Sequence, residues 1–542
     1  MKRFLFFPLI LFPLLVSAQE VITVNVDSAG HLLKQITEAK MYKISELTVK
    51  GQINGIDLNV IQDIASRNKA KGDTTFLLKK LDMTDAVIVE GKEGMKTKAN
   101  VLPDKFFSGC KSLEQVALPS GVTNISDHAF DGCKNLLTVT IPGTVTEMGS
   151  YAFSGCKTIK GVSLPLSLAK IGNNAFYGCE SLTQIDVPAS VKSMGSDVFN
   201  DCVNLTSANI AGSIINIGSS VFEDCKALTS VILPGTVKAI GNSAFKNCKT
   251  LNAVSLPGVL KEIGSHAFDG CISLGSIVLP SSLTDLGNYA FEGCSSLAQV
   301  EIDGKIPNIG NSTFLNCSGL SSISLPNTIK SIDDQAFAGC KKLITVNLPN
   351  SLEKIGSRAF GDCLSLTSIS VPNGVKKIGS SAFNGCKALA SASIIGFVKE
   401  IDTKTFSGCS SLSRVDLPVT LVSIDDDAFA YCVTLQSIIL PNAVATLGSS
   451  VFEGCSSLAT VELSNSLKKI GSSAFKDCLA LTTIHCNAAI PPECKGDNVF
   501  KNVPVGSCQL HVPKGCKNLY MSAKAWSTFN SINEMMLVRT NE

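Results

Sequence analysis

Seventeen cysteines, from Cys110 through Cys133 and Cys156 to Cys478, stand at an unbroken spacing of 23 residues. Sixteen equal intervals leave no room for insertions, so one structural unit recurs along most of the chain. Such a chain stacks near-identical turns into a solenoid, and its length of 542 residues says little about domain count.

Aligned on the cysteines, the units read A-F-x-x-C-x-x-L-x-x-V-x-L-P-x-x-V-x-x-I-G. One copy runs Ala244, Phe245, Cys248, Leu251, Val254, Leu256, Pro257, Leu260, Ile263, Gly264. The alternation in V-x-L predicts a short, half-buried strand. Proline ends it, having no N–H to give to a ladder. The glycine of I-G is expected to supply unusual backbone angles at a turn. A-F-x-x-C is too brief for much helix and returns the chain on the far side.

One unit cannot stand alone. Its seven apolar side chains contribute roughly 10–20 kcal/mol when buried, while ordering 23 residues costs on the order of 25–45 kcal/mol. Stacking pairs the strand and covers both open faces. At about 4.8 Å between strands, seventeen units trace an arc of roughly 80 Å. A slower rhythm is superimposed. The proline is replaced at Ala211, Asp303, Ile395 and Asn487, in steps of 92 residues, and glycine follows at Gly212, Gly304 and Gly396. Growth by duplication of four-unit blocks is the expectation; Ser464 also lacks the proline but falls off this rhythm.

The N-terminus carries a separate signal. Lys2-Arg3 precede an apolar run from Phe4 to Val16 that ends in Val16-Ser17-Ala18 before Gln19. This order describes a secretory signal peptide. The run is too short to span a bilayer, no later segment is long and apolar enough, and no cysteine follows the cleavage site to take a lipid anchor. A net charge of +2, with six tyrosines and one tryptophan, argues against a nucleic-acid surface.

These motifs resemble the BspA-like class of bacterial leucine-rich repeats, over about Lys105 to Cys486. The segment from Leu47 to Asp57, then Leu81 to Ala86, is similar to that family's N-terminal cap. Leu510 to Ile532, with Val512-Pro513-Lys514-Gly515, Tyr520, Trp526 and Phe529, resembles its C-terminal cap. The resemblance implies a right-handed, curved leucine-rich-repeat solenoid, mostly β and irregular, with a parallel β-sheet on the concave face and a cap at each end. The implied division is 1–18 signal peptide, 19–104 N-terminal cap, 105–486 repeats and 487–542 C-terminal cap. It also implies an exported protein, secreted or on the cell surface with the periplasm as the alternative. Its implied role is non-enzymatic adhesion, as a monomer, to a host or neighbouring-cell protein, an extracellular-matrix or cell-surface protein included. A structural envelope scaffold and a polysaccharide-binding protein are the other readings. No catalytic residue, metal or cofactor is implied, and no long sorting domain or wall-anchor motif follows the cap.

The repeating cysteines read as a buried, reduced column, since neighbouring side chains point the same way, which is poor disulfide geometry. Cys486, Cys494, Cys508 and Cys516 break the rhythm, and Val503 takes the column position of the next unit. In an exported chain these four suggest one or two disulfides. Zinc with His485 and His511 fits their spacing poorly, and Cys486 also suits a core strand slot. Of the five histidines none forms a metal or nucleophile motif. The candidate binding face is the outward strand position, with Asp186, Asn209, Ser255, Glu301, Ser324, Asn347, Ser370, Asp416 and Glu462, joined by Arg414. Small polar residues there serve either a partner or a tight concave surface. Lysines before I-G, Lys238, Lys261, Lys354 and Lys376 among them, form a basic edge that blocks edge-on association or binds polyanions.

Overall fold

The computed structural model describes residues 19–41, 43–66 and 78–535, so the segment 1–18, expected to be a signal peptide, lies outside the described residues. The chain forms two compact units, Met1–Leu182 and Thr183–Glu542.

In the first, parallel strands Glu20–Val26, Ile44–Ile53, Lys80–Asp82, Gln115–Ala117 and Thr138–Thr140 lie side by side. Ile22, Leu47, Leu81, Val116 and Val139 occupy one register row. The strand ladder therefore starts well before the first column cysteine. Helix Gly55–Ser66 buries Leu58, Ile61 and Ile64. At its first turn the buried carboxylate of Asp57 accepts the N–H groups of Gly30 (2.6 Å), Leu32 (2.9 Å) and Asn54 (3.0 Å). Three backbone donors are satisfied by one buried side chain.

The second unit is a parallel-strand solenoid. Each rung contributes a strand of three or four residues, such as Ser207–Ile210 or Thr345–Asn347, and a two-residue strand at its I-G corner, such as Ala239–Ile240. Pairing is in register between rungs: Ile185 faces Ala208, which faces Val231. The ladder runs on through Thr483–Cys486 to Gln509–Val512 and Ser531–Glu534. The rung of Cys248 departs from the expected pattern, with Val254 and Leu256 only half-buried and no regular strand, and in the first unit the rung of Cys156 likewise forms no strand over Val162 to Leu164.

The third side of each rung is a run of turns. There the N–H groups of Ser243, Phe245 and Asn247 donate to the carbonyls of Ser265, Ala267 and Asp269 in the next rung, at 2.9, 2.8 and 2.7 Å. The two outer donors, on either side of Phe245, adopt left-handed backbone: Ser243 has φ 55° and Asn247 φ 58°. The position just before each cysteine is left-handed throughout, and glycine, Asp or Asn fills it in all but one rung, where Tyr431 stands.

This corrects one expectation. The I-G glycines do not have left-handed angles; most lie where the preceding rung's backbone passes too close for a Cβ. A Cβ on Gly241 would come within 2.7 Å of the Ser219 nitrogen, and one on Gly471 within 2.3 Å of the Gly448 carbonyl carbon. The left-handed positions are the residue before the cysteine and the one five residues before it.

Inside, the phenylalanines of successive rungs stack. Centroids from Phe199 to Phe222 and Phe245 lie 5.4 Å apart, and the column continues to Phe500, where Trp526 and Phe529 meet its last ring edge-on at 5.3 and 5.1 Å. Edge-on closure presents ring hydrogens to the open π-face. Val503 takes the cysteine's place below Phe500, its N–H bonded to the Phe500 carbonyl as Cys478 is to Phe475.

The cysteines are more than small apolar fillers. From Cys225 to Cys478 each column thiol hydrogen-bonds the phenylalanine carbonyl 26 residues earlier, as Cys248 does to Phe222 and Cys294 to Phe268, both at 3.1 Å. That carbonyl also accepts the N–H of its own rung's cysteine. The thiol thus fills the second lone pair of a buried acceptor. Burial raises the thiols far from their reactive range, to about 12 at Cys179 and Cys455.

Where proline is replaced, a ladder bond returns. The N–H groups of Ala211, Asp303, Ile395 and Asn487 donate to the carbonyls of Val187, Leu279, Val371 and Leu463 at 3.0–3.2 Å. These rungs carry four-residue strands. Gly212, Gly304 and Gly396 follow because a Cβ there would approach a neighbouring-rung carbonyl oxygen within 2.9 Å or less. Ser464 instead uses its hydroxyl, which donates to the Val444 carbonyl.

Candidate functional site

Strand residues alternate between core and solvent, so the outward set is fixed once the V-x-L core residues are known. Asp186, Glu301, Ser324, Asn347, Ser370 and Asp416 are exposed, while Asn209 and Glu462 are half-buried. Ser255 is exposed as well, on the rung that forms no regular strand. Register sets Asp186 beside Asn209, with an Asn209-to-Asp186 side-chain hydrogen bond of 3.2 Å. It also sets Ser324 beside Asn347, Ser370 beside Ser393, and Ser393 beside Asp416. Arg414 is committed within its own strand, its Nε donating to Asp416 at 3.1 Å. Glu462 accepts from the Asn487 amide at 3.2 Å.

A second outward row lies two residues earlier and was not singled out from the sequence. It reads Gln184, Ser207, Ser230, then Ser276, Gln299, Ser322, Thr345, then Ser368, Ser391 and Arg414. The signal was present in the repeat, at the position just before each V of V-x-L. Together the rows give a broad hydroxyl- and amide-rich strip. Isolated apolar side chains break it: Ile232 is 64% exposed, Val278 50% and Ile439 66%.

Around Val278 the strip deepens into a depression of about 550 Å³, walled by Gln299, Glu301, Asp303 and Ser324. Asp303 stands where other rungs carry proline, so the slower rhythm places an acid here. Ile395 and Phe397, 59% and 65% exposed, occupy the corresponding stretch four rungs on. The basic edge is partly compensated: Lys354 pairs with Asp333 at 3.4 Å and Lys376 with Glu353 at 3.0 Å.

At the C-terminal end the strand face carries His485 beside His511, their rings stacked at 4.7 Å. Burial, then the charge of His485, lowers the His511 basicity. Cys486 sits in the inward strand slot and is buried, as is Cys508; Cys494 and Cys516 are half-buried, and all four carry free thiols in this structure. The Tyr520 hydroxyl donates to the Ala488 carbonyl at 2.7 Å and lies 3.1 Å from the Cys486 sulfur, while the Trp526 indole donates to the Pro492 carbonyl at 3.0 Å. These two aromatic donors tie the end segment to the last rungs. No helix among the described residues is long and apolar enough to cross a membrane.

A leucine-rich repeat protein from Bacteroides ovatus is 31% identical, with a TM-score of 0.49, over 64% of this chain and 88% of its own. A leucine rich cell surface protein from Faecalibacterium prausnitzii is 24% identical, with a TM-score of 0.33, over 71% of this chain and 89% of its own. A search of the curated proteins finds no match. The BspA type leucine rich repeat region matches residues 100–229, 216–341, 307–418 and 393–505, which together span more than half of the sequence. The chain belongs to the BspA-type leucine-rich-repeat family.

Proposed function

We propose that this chain is an exported adhesion module that holds a large protein partner on the strand face of its second unit. Leucine-rich-repeat proteins of this bacterial surface type share a general protein-binding fold and are generally non-enzymatic. The observation that carries the reading is the strip of outward Ser, Thr, Gln and Asn rows, broken by Ile232, Val278 and Ile439 and deepened beside Glu301 and Asp303. A ladder of paired strands holds these side chains before any partner arrives, so little ordering entropy is lost on binding. Extended repeat surfaces bind large partners in this way. The division 19–104, 105–486 and 487–542 into cap, repeats and cap belongs to the same proposal, as does removal of residues 1–18.

The test has two arms. Protease added to intact producing cells should digest the chain, and full protection inside them sinks the adhesion reading. Immobilised protein from residue 19 onward should capture a protein from surface extracts of neighbouring or host cells, with capture lost in Val278→Glu and Ile439→Glu. These exposed positions carry no core, so folding should survive. Capture of glycans in place of proteins, weakened by salt, would replace the proposal with polysaccharide binding.

A further inference from the structure

On the turn face of the second unit, away from the strand strip, three ligand-type side chains converge. His266, Asp269 and the next rung's Glu292 each offer a donor atom, and the three atoms lie within 4.8 Å of one another. All three residues are half-buried. We infer that His266, Asp269 and Glu292 form a binding site for a divalent transition-metal ion that clips two successive rungs together.

The donor set is one imidazole nitrogen and two carboxylate oxygens, which suits zinc, manganese or cobalt and lacks the thiolates that select softer ions. The His266 Nδ1 lies 3.0 Å from the Asp269 Oδ2. Two ligand atoms on one tetrahedral ion with bonds of about 2.0 Å sit roughly 3.3 Å apart. The gap to close is therefore small. The imidazole is pinned on two sides. Its backbone is held left-handed at φ 56°, and its ring lies flat on Tyr289, with centroids 4.6 Å apart and planes within 2°. Fixed ligands lose little entropy on binding. The Lys246 ammonium, 3.4 Å from Asp269, is the resting counter-ion that a metal would displace. Burial, and next the charge of Asp269, hold the Glu292 carboxyl above its usual range, a cost that a cation relieves.

The chain supplies its own control. In the first unit His128 lies 3.0 Å from Asp131 and stacks on Tyr151 at 4.7 Å and 2°. The place equivalent to Glu292 is taken by Ser154. That set keeps the clamp and two ligands but lacks the third.

The full chain, carrying no polyhistidine tag, should be titrated with cobalt(II), followed by calorimetry and by visible absorption. One equivalent should bind with d–d bands and no intense thiolate charge-transfer band. His266→Asn and Glu292→Gln should each weaken it at least ~10-fold, His128→Asn should leave it unchanged, and Lys246→Ala should tighten it. Ser154→Glu should raise the stoichiometry from one to two. Circular dichroism and Tm check that each variant folds. No binding by the natural chain overturns the inference, as do thiolate bands at the first equivalent, or equal losses in His266→Asn and His128→Asn.

Discussion

Gly471→Ala should be among the most damaging single-methyl additions the solenoid can receive. The new Cβ would stand 2.3 Å from the Gly448 carbonyl carbon, 2.4 Å from its oxygen and 2.4 Å from the Ser449 nitrogen, whereas ordinary contact begins at 3.4 Å. Both partners are backbone, so no rotamer change relieves the clash, and the rungs must part by roughly 1 Å. The hydrogen bond from the Gly471 N–H to the Leu447 carbonyl, 2.8 Å long, spans the same junction and would stretch beyond bonding range. Overpacking of this kind costs about 1–3 kcal/mol, and the lost bond adds about 1 kcal/mol. Asp333, Asp402 and Asp425 occupy the same column elsewhere, so a junction can widen locally, and the loss should remain a loss of stability with the fold intact.

Two further glycines isolate the cause. A Cβ on Gly235 meets nothing within 4 Å, so Gly235→Ala should be neutral. A Cβ on Gly293 makes only ordinary contacts, the nearest at 3.8 Å, but φ is 69°, so Gly293→Ala should cost about 1 kcal/mol through backbone strain alone. Long repeat arrays need not unfold in one step, so denaturant melts should be paired with hydrogen exchange at Lys469 to Gly471. Equal stability in Gly471→Ala and Gly235→Ala would refute the close-approach reading. A larger loss in Gly293→Ala than in Gly471→Ala would return the I-G glycine to a role in backbone angles.

The column thiols should resist an aromatic disulfide reagent at pH 8 in the folded chain and all react once it is unfolded without reductant; far fewer than seventeen released in denaturant would contradict the free column. Within that column, Cys294→Ser should destabilise more than the near-isosteric change suggests, by about 1–2 kcal/mol, because the shorter C–O bond draws the donor away from the Phe268 carbonyl. Asp425 is raised to about 7 by burial, and then by the hydrogen bond and charge of Glu400. Between the usual carboxylate range and pH 7 the folded chain therefore holds a proton that the unfolded chain has released, so this site costs stability as pH rises. Asp425→Asn should melt higher than the natural chain at pH 7.5, with a gain that solvent exposure limits to about 1 kcal/mol, and should match it at pH 4; a gain of the same size at both values would sink the argument.

The period of 23 made the stacked strands legible because every rung repeats the same burial problem, and the strands fall on V-x-L as its alternation requires. Individual columns were harder to read. The I-G glycine and the glycine before cysteine look alike in sequence, yet one is set by a neighbouring backbone and the other by its own φ. Both columns admit Asp, but only the second also admits Asn, at Asn247 and Asn316, beside Asp201 and Asp362, and that difference was the available clue. The thiol bond to the phenylalanine carbonyl left no such trace, because nothing within one rung shows which carbonyl of the previous rung lacks a partner. His266 and Glu292 are 26 residues apart, and their meeting depends on the rung-to-rung offset of the turns.

A solenoid with a strict repeat separates what must stay constant from what is free to vary. Phenylalanine, cysteine and the inward strand residues form continuous columns, so a change at one rung is felt by both neighbours. The outward rows and the left-handed turn position five residues before each cysteine touch the core little, and there the chain varies from Ser243 to His266, Tyr289, Gln335 and Arg358. That turn position pays for left-handed backbone in every rung without once using glycine, which would adopt it at lower strain. Side chains here make contacts of their own: Tyr289 lies flat on the His266 ring, and Arg358 donates to the Asp362 carboxylate at 2.9 Å. The turn face is therefore a second variable surface beside the strand face, carried by the same core, and the metal clip is the most developed chemistry on it.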